Sequence, residues 1–334
     1  GSNWRGGMEK YLGSSFENNN HDIDYIFYPS ENKGFLKKVK LTQLIKVNKY
    51  VRKKTYEDYN KSVILKAESW KPDLIFTMNG ARLLPQTVKY LKEKLNCITV
   101  CYVADNPFDS SRDEYVGMSL RYYNYIFVCE KMWIQNIQNV SPESKVFSIG
   151  VGFNPKIFDT NNNAVHSSNE ELECDISFTG ANYGRKAEGA YRAGILAQLS
   201  DYKLKIWGHG DWPSRFKYFP ELVSAYQGDL LPFNKLLELY SVSKINLNMP
   251  SPQIITGFQP RVFEIAAAKG FQIIDFRSDL LDYFSENEIV TFKNPFELKE
   301  KIDFYLNNDN ARLKIVESLY NKVINNYSWD NVAS

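Results

Sequence analysis

The run "CITVCYVAD", residues 97 to 105, is apolar at almost every position. A strand that alternates polar and apolar residues can keep one face in water, but a strand apolar on both faces has to be covered on both. That happens where helices cross each face of a parallel sheet, so this segment points to an α/β layer. The flanking sequence agrees. "PDLIFTM" (72 to 78), "YIFVCE" (125 to 130) and "KVFSIGV" (145 to 151) are short apolar runs, with helical stretches near 84 to 95, 115 to 122 and 131 to 138 between or after them. "IDYIFY" (23 to 28) reads as one more strand at the front, ahead of a basic helical region that ends at Trp70.

The rhythm then breaks and restarts. "FDTNNNAVHSSNEELE" (158 to 173) is polar, rich in asparagine and without periodicity, as expected of a linker or an exposed loop. After it come the strand patterns "CDISFTG" (174 to 180), "YKLKIWG" (202 to 208), "KINLNM" (244 to 249) and "EIVTF" (288 to 292), with helices between them and two amphipathic helices at the end, broken at 307 to 310. The expected fold class is therefore α/β, with two doubly wound halves. In open parallel sheets ligands sit at the carboxyl ends of strands, so the loops that follow strands are the places to search.

Composition narrows the function. At 334 residues and 43% hydrophobic content the chain is large enough for about two domains. A net charge of only +2, from 41 basic and 39 acidic residues, argues against a protein built to hold nucleic acid. Cys97, Cys101, Cys129 and Cys174 show no C-x-x-C spacing and read as buried free thiols of a reducing compartment. Three histidines do not make a histidine-rich metal site, and no run of about 18 apolar residues suggests a membrane span. The basic patch from Lys37 to Lys54 leaves two readings, a surface meeting anionic lipid or a phosphate-rich acceptor, or a solvated helix face. The opening "GSNWRGG" is either left over from cloning or the continuation of a first strand lying upstream.

Four loops carry candidate chemistry. In "ITGFQPRVFEIAAAKGFQIID" (255 to 275), Pro260 and Gly270 bracket a short helix. Arg261 and the helix start suit phosphate oxygens, and Glu264 suits two vicinal hydroxyls, which together describe a ribose beside a phosphate. The competing reading is an exposed i,i+3 ion pair. In "TGANYGRKAE" (179 to 188), Gly180 and Gly184 permit close backbone approach, and Arg185 and Lys186 stand at the helix end where cations are unfavourable unless an anion is near. In "WGHGDW" (207 to 212), Gly208 and His209 either line a ligand or serve the loop itself. In the first half, Asp105 ends the most apolar strand and precedes Asn106 and Asp109; it is either a general base for a hydroxyl or the cap of a turn. Arg5, Gly6 and Gly7 are terminal residues able to contact an acceptor. No Walker motif, G-x-G-x-x-G fingerprint or D-x-D pair occurs, so a P-loop, a plain dehydrogenase and a metal-bridged single-domain transferase all lose ground.

From "SFTGANYGRKAE" through "LKIWGHGDW", "YQGDL", "LLELYSVSKINLNM" and "GFQPRVFEIAAAKGFQIIDFRSDLLDYF", the second half resembles CgeB-like glycosyltransferases, members of the wider GT-B group; "KVFSIGVGFNPKIF" resembles the segment leading into the second domain, with Asn154 where Asp is usual. The resemblance implies two Rossmann-like domains facing a central cleft, with the C-terminal helices crossing back. The boundaries implied are 1 to 152 for an acceptor-side domain, 153 to 310 for a nucleotide-sugar donor domain and 311 to 334 for a helix returning to the first. It places Glu264 on the donor ribose, and Arg185 and Lys186 on the diphosphate, which Arg261 suits by its charge. Gly180, Gly208, His209, Thr256, Gly257, Phe258 and Gln259 fall around the donor. Thr256 stands where many relatives carry a second glutamate, against the sugar.

The function expected from this is metal-independent transfer of a sugar from a nucleoside diphosphate sugar, UDP-sugar first, to a hydroxyl of a glycan, lipid-linked or protein acceptor. No resident cofactor and no nucleic-acid partner are expected. The implied setting is a bacterial cytoplasm, at or near the inner membrane face, in the synthesis of cell-surface glycans. Two alternatives stand beside it: a silent sugar-nucleotide or glycan-binding module, favoured by Thr256 and Asn154, and a nucleotide-sugar epimerase of the same fold class.

Overall fold

The computed structural model describes residues 8–28, 49–109, 114–159, 170–182 and 187–333, and the chain divides after Gly150 into two compact units. Unit 1 contains helices α1 (Met8–Asn18) and α2 (Lys49–Trp70), then β1 (Leu74–Met78), α3 (Pro85–Glu93), β2 (Ile98–Val103), α4 (Glu114–Ser119), β3 (Tyr125–Val128), α5 (Trp133–Val140) and β4 (Lys145–Ser148). Its four described strands are all parallel and lie in sequence order. The apolar residues of β2 behave as their pattern requires: Cys101 and Val103 are fully buried, in a core with Val88, Leu91, Ile126, Val128 and Ile137.

One expected strand is missing. Residues 21–28 carry no regular structure. Asp24 and the backbone of Tyr25 are drawn to helix α2 instead of a ladder: Lys66 Nζ lies 2.6 Å from Asp24 Oδ2 and donates to the Tyr25 carbonyl at 3.1 Å. Tyr28 still reaches the core, edge-on to Tyr56 and Tyr59. The segment is thus held by side chains rather than by backbone pairing.

Unit 2 begins with α6 (Pro155–Phe158), capped by Asn154, whose Oδ1 accepts from the Lys156 N–H at 2.9 Å. An asparagine serves this purpose as well as an aspartate. Then follow β5 (Ile176–Thr179), α7 (Ala187–Ala197), β6 (Leu204–Trp207), β7 (Tyr226–Gly228), α8 (Phe233–Val242), β8 (Ile245–Asn248), α9 (Arg261–Ala267), β9 (Gln272–Asp275), β10 (Val290–Phe292), α10 (Pro295–Leu306), α11 (Asp309–Asn326) and α12 (Trp329–Ala333). The order across the parallel sheet is β10-β9-β8-β5-β6-β7. Starting at β5, the chain builds outward through β6 and β7, then returns to the other side of β5 for β8, β9 and β10. The order therefore reverses between β5 and β8, and at such a switch point the loops leaving the two strands diverge and open a crevice above the sheet.

Strands β8 and β9 are buried on both faces yet carry amides. Asn246 Nδ2 donates to the carbonyls of Tyr240 (2.9 Å) and Phe271 (3.0 Å), while its Oδ1 accepts from Ser177 Oγ (2.8 Å). Gln272 Nε2 donates to the Val262 carbonyl (2.8 Å), and its Oε1 accepts from Asn248 Nδ2 (3.1 Å). These amides tie the ends of helices α8 and α9 to the sheet in one register. At its end α9 turns through Lys269, in the left-handed region at φ 53°, and Gly270 then passes so near the Tyr240 carbonyl that a Cβ would lie 2.5 Å from it. Helix α11 packs on α9, and its Tyr320 hydroxyl donates to the buried Asp159 carboxylate (2.9 Å). Among the described residues, no helix is long and apolar enough to cross a membrane.

Replacing Asn246 by alanine leaves the Ser177 hydroxyl and the Tyr240 carbonyl buried without their amide, while the Phe271 carbonyl keeps the residue's backbone N–H. Asn246→Ala is expected to lower unfolding stability by about 2–4 kcal/mol, well above a surface substitution. Urea denaturation with an unchanged m-value is the check; a loss under about 1 kcal/mol would show that water replaces the amide.

Candidate functional site

The crevice of unit 2 is built from the carboxyl ends of β5 and β8 and from the helices beside them. Thr179 is the last residue of β5, and its hydroxyl lies 3.1 Å from the hydroxyl of the buried Tyr240, near the end of α8. Tyr240 in turn accepts from Arg261 Nε at 3.3 Å, the first residue of α9. Glu264 follows one turn on. It keeps a little surface, but its carboxyl is enclosed by protein, and burial pushes its pKa up to about 7, with the Arg261 charge opposing that rise. Burial likewise raises the Tyr240 phenol. Arg261 and Glu264 therefore do not make the exposed surface pair that spacing alone allowed. They bring a guanidinium, a phenol and a carboxyl together at the switch point.

Helix α9 has only seven residues, so its end contributes little field, and any anion here is met chiefly by the Arg261 charge. A guanidinium that can fork onto phosphate oxygens, beside an acceptor-only carboxylate, suits an anionic group next to a pair of hydroxyls.

The loop from 249 to 260 is held from outside itself. Arg192, buried on α7, donates through Nη1 to the Ala181 carbonyl (2.8 Å) and through Nη2 to that of Met249 (3.2 Å), joining the loops that leave β5 and β8. Arg277 forks onto Asp275 with two 2.9 Å bonds and donates through Nε to the Ile254 carbonyl (3.0 Å). The Thr256 hydroxyl donates to Asp279 Oδ2 (3.2 Å), and the Asp279 N–H donates back to the Thr256 carbonyl (2.9 Å). Phe258 is buried edge-on against Phe263 and Tyr283, Gly257 is buried beside it, and the Gln259 carbonyl accepts from the Val262 N–H.

The two glycines of the loop after β6, Gly208 and Gly210, have an internal reason to be glycine. A Cβ on Gly208 would sit 1.8 Å from the Gly180 carbonyl oxygen, and one on Gly210, at φ 94°, equally close to that of Asn182. Asn182 and Gly210 form a parallel bridge, and Trp212 Nε1 donates to the Gly180 carbonyl at 3.1 Å. The loops after β5 and β6 thus run as one layer. His209 gives that layer its carbonyl, which accepts from the Asn182 N–H, and its side chain is exposed. Gly184, Arg185 and Lys186 lie outside the described residues, as do Arg5, Gly6, Gly7 and most of the basic patch, from Lys37 as far as residue 48.

In unit 1, Asp105 stands just beyond β2. Its Oδ2 accepts from Asn79 Nδ2 at 2.9 Å. Asn106 closes the following turn: its Oδ1 accepts from the Phe108 N–H (3.0 Å) and its carbonyl from that of Asp109 (3.3 Å). The cap of that turn is therefore Asn106, and the Asp105 carboxylate is left to its own partners.

Sequence reasoning missed Tyr240, Thr179, Arg192, Arg277 and Asn79. Each works through a partner 11 to 61 positions away, so no local spacing marked them.

Residues 185–334 match the family model described as glycosyl transferase-like. No curated protein matches the chain in sequence. Among solved structures, the chain is similar to a sucrose-phosphate synthase from Thermosynechococcus elongatus, at 14% identity and a TM-score of 0.69, over 98% of this chain and 91% of that one. It is similar to a glycosyltransferase from Rickettsia africae, at 16% identity and a TM-score of 0.62, over 98% and 93%. It is also similar to Anabaena HepE in complex with UDP, at 9% identity and a TM-score of 0.61, over 83% and 80%. The chain has the GT-B fold, with a parallel α/β sheet in each unit.

The raised Glu264 carboxyl has a sign that can be checked. The folded chain holds a proton there that the unfolded chain releases above 4.5, so the stability it contributes is complete below that pH and is lost as the pH climbs through about 7. Glu264→Gln is expected to flatten this segment of the stability curve and to exceed the wild type at pH 8, by at most about 3 kcal/mol. Denaturant titrations of both chains from pH 4 to 8 measure it; parallel curves would mean that the carboxyl titrates normally.

Proposed function

We propose that this chain is a glycosyltransferase that moves a sugar from a nucleoside diphosphate sugar to a hydroxyl acceptor, with the donor held by unit 2 and the acceptor by unit 1. The observation that carries the reading is the meeting of Glu264, Arg261 and Tyr240 at the β5/β8 switch point. The glycosyl transferase-like match over the same unit and the similarity to a structure containing UDP support it.

In this reading, ionised Glu264 accepts from the two ribose hydroxyls, and Arg261, Arg185 and Lys186 neutralise the diphosphate without a metal ion. Their charges favour the transition state, in which the bond from the anomeric carbon to the diphosphate oxygen breaks and negative charge grows on the leaving group. The acceptor oxygen forms the new bond at the same carbon. Asp105 orients the acceptor hydroxyl; in an inverting reaction it also takes the proton, and in a retaining one the departing diphosphate takes it. Thr256 gives its hydroxyl proton to Asp279, so toward the sugar it acts as an acceptor. A UDP-sugar is the first donor to test, with a glycan, glycolipid or protein hydroxyl as the acceptor.

Stabilisation by UDP, measured as a rise in melting temperature, is expected at pH 8 and is expected to shrink below pH 7 as Glu264 takes up its proton. Glu264→Ala should weaken UDP binding by about tenfold or more while leaving the ligand-free fold intact. No stabilisation by UDP, GDP, dTDP or CMP would overturn the proposal. Binding without any transfer, over a broad acceptor panel, would instead assign a silent binding module.

A further inference from the structure

Beyond β1 the chain enters a short turn, Asn79–Arg82, in which Asn79 (φ 47°), Gly80 (φ 69°) and Arg82 (φ 58°) are all left-handed. Left-handed backbone is unfavourable for residues with a Cβ, and asparagine bears it better than most. Glycine would serve the backbone alone. The Asn79 side chain does more: its Oδ1 accepts from the N–H groups of Ala104 (2.8 Å) and Asp105 (3.2 Å), and its Nδ2 donates to Asp105 Oδ2 (2.9 Å). One amide therefore fixes both the backbone that leaves β2 and the orientation of the carboxylate it carries.

The turn is itself anchored from behind. Asn60, buried on α2, donates to the Arg82 carbonyl (3.2 Å) and accepts from the Leu84 N–H (2.8 Å). The Arg82 guanidinium lies 4.2 Å from the centre of the Tyr28 ring. Strands β2 and β3 end side by side at Val103 and Val128, and Glu130, two residues beyond β3, is fully buried. Cys129, between Val128 and Glu130, donates its thiol to the Ala104 carbonyl (3.3 Å), and Asp109 lies at the far end of the turn that Asn106 closes.

We infer that Asn79 is a positioning residue that aims the Asp105 carboxylate at the acceptor hydroxyl; the inference rests on the transfer reaction proposed above. A tether needed only for folding would be satisfied by the two backbone N–H bonds. The third bond, from the amide to a carboxylate oxygen at the open end of the strand, sets the direction of the group that handles the acceptor.

The test compares Asn79→Gly, Asn79→Asp, Asp105→Asn and the double variant Asn79→Gly/Asp105→Asn in the full chain, with the same donor and acceptor. Asn79→Gly keeps the left-handed backbone and loses the aim; kcat/KM for transfer is expected to fall about 10- to 100-fold, with UDP affinity unchanged. In the Asp105→Asn background the same change is expected to cost almost nothing more, because both act through one carboxylate. Asn79→Asp keeps the oxygen for the two N–H groups but sets a second carboxylate against the first, so the acidic limb of the pH profile should move to higher pH. If Asn79→Gly melts too low to assay, the Asn79→Asp profile decides. Wild-type kcat/KM in Asn79→Gly, additive losses in the double variant, or an unmoved profile in Asn79→Asp each overturn the inference alone. A folded wild type that binds UDP but transfers to no acceptor overturns the transfer reading and this role together.

Discussion

Everything in unit 2 depends on a set of amides buried between sheet and helices. Asn246 and Gln272 donate to the carbonyls of Tyr240 and Val262, next to the groups that make the site. A buried carbonyl without a donor costs more than an ordinary hydrogen bond gains, so each helix end has one register in which it can sit. In that register Tyr240 faces Thr179 and Arg261, and Glu264 comes under cover. An apolar pair of strands would pack as tightly and still let the helices slide.

That placement has a cost for the free protein. An enclosed carboxyl held near neutrality is a less stable arrangement than an exposed one, and Arg261 offsets only part of it. The same enclosure excludes competing water, so a hydrogen bond made to this carboxyl is stronger than one at the surface. Around it, the forked Asp275–Arg277 pair and the buried Arg192 place their charges on backbone carbonyls, which keeps the loop over the site in shape before any ligand arrives. Preorganisation of this kind lowers the ordering cost of binding.

How far this was legible in the sequence differs by level. Apolar runs such as 98 to 103 mark buried parallel strands because the sheet is covered on both faces, and nine of the ten described strands fall in apolar runs of that kind, the exception being the three-residue β7. Residues 23 to 28 have the same look and form no strand, since Lys66 holds Asp24 and the Tyr25 carbonyl where a ladder would be. "KINLNM" reads as a strand, but nothing in its letters says that Asn246 is wholly buried. Arg261 and Glu264 stood out because they are neighbours on one short helix. Tyr240 did not, because its relation to them exists only after β8 has been laid between.

The glycines illustrate the limit most directly. Gly180, Gly208 and Gly210 sit at strand ends, where glycine is readily taken as room for a ligand. Here the room is filled by the protein's own backbone, since Gly208 and Gly210 let the loop after β6 lie against the carbonyls of Gly180 and Asn182. Those carbonyls, with the Trp212 indole bonded to one of them, make a flat double layer beside the switch point. A ligand there would meet a surface stiffened by two strands' loops at once. Substituting either glycine would disturb the shape of that surface through the neighbouring loop, without removing any group that touches the ligand, so loss of binding in such a variant is no measure of direct contact.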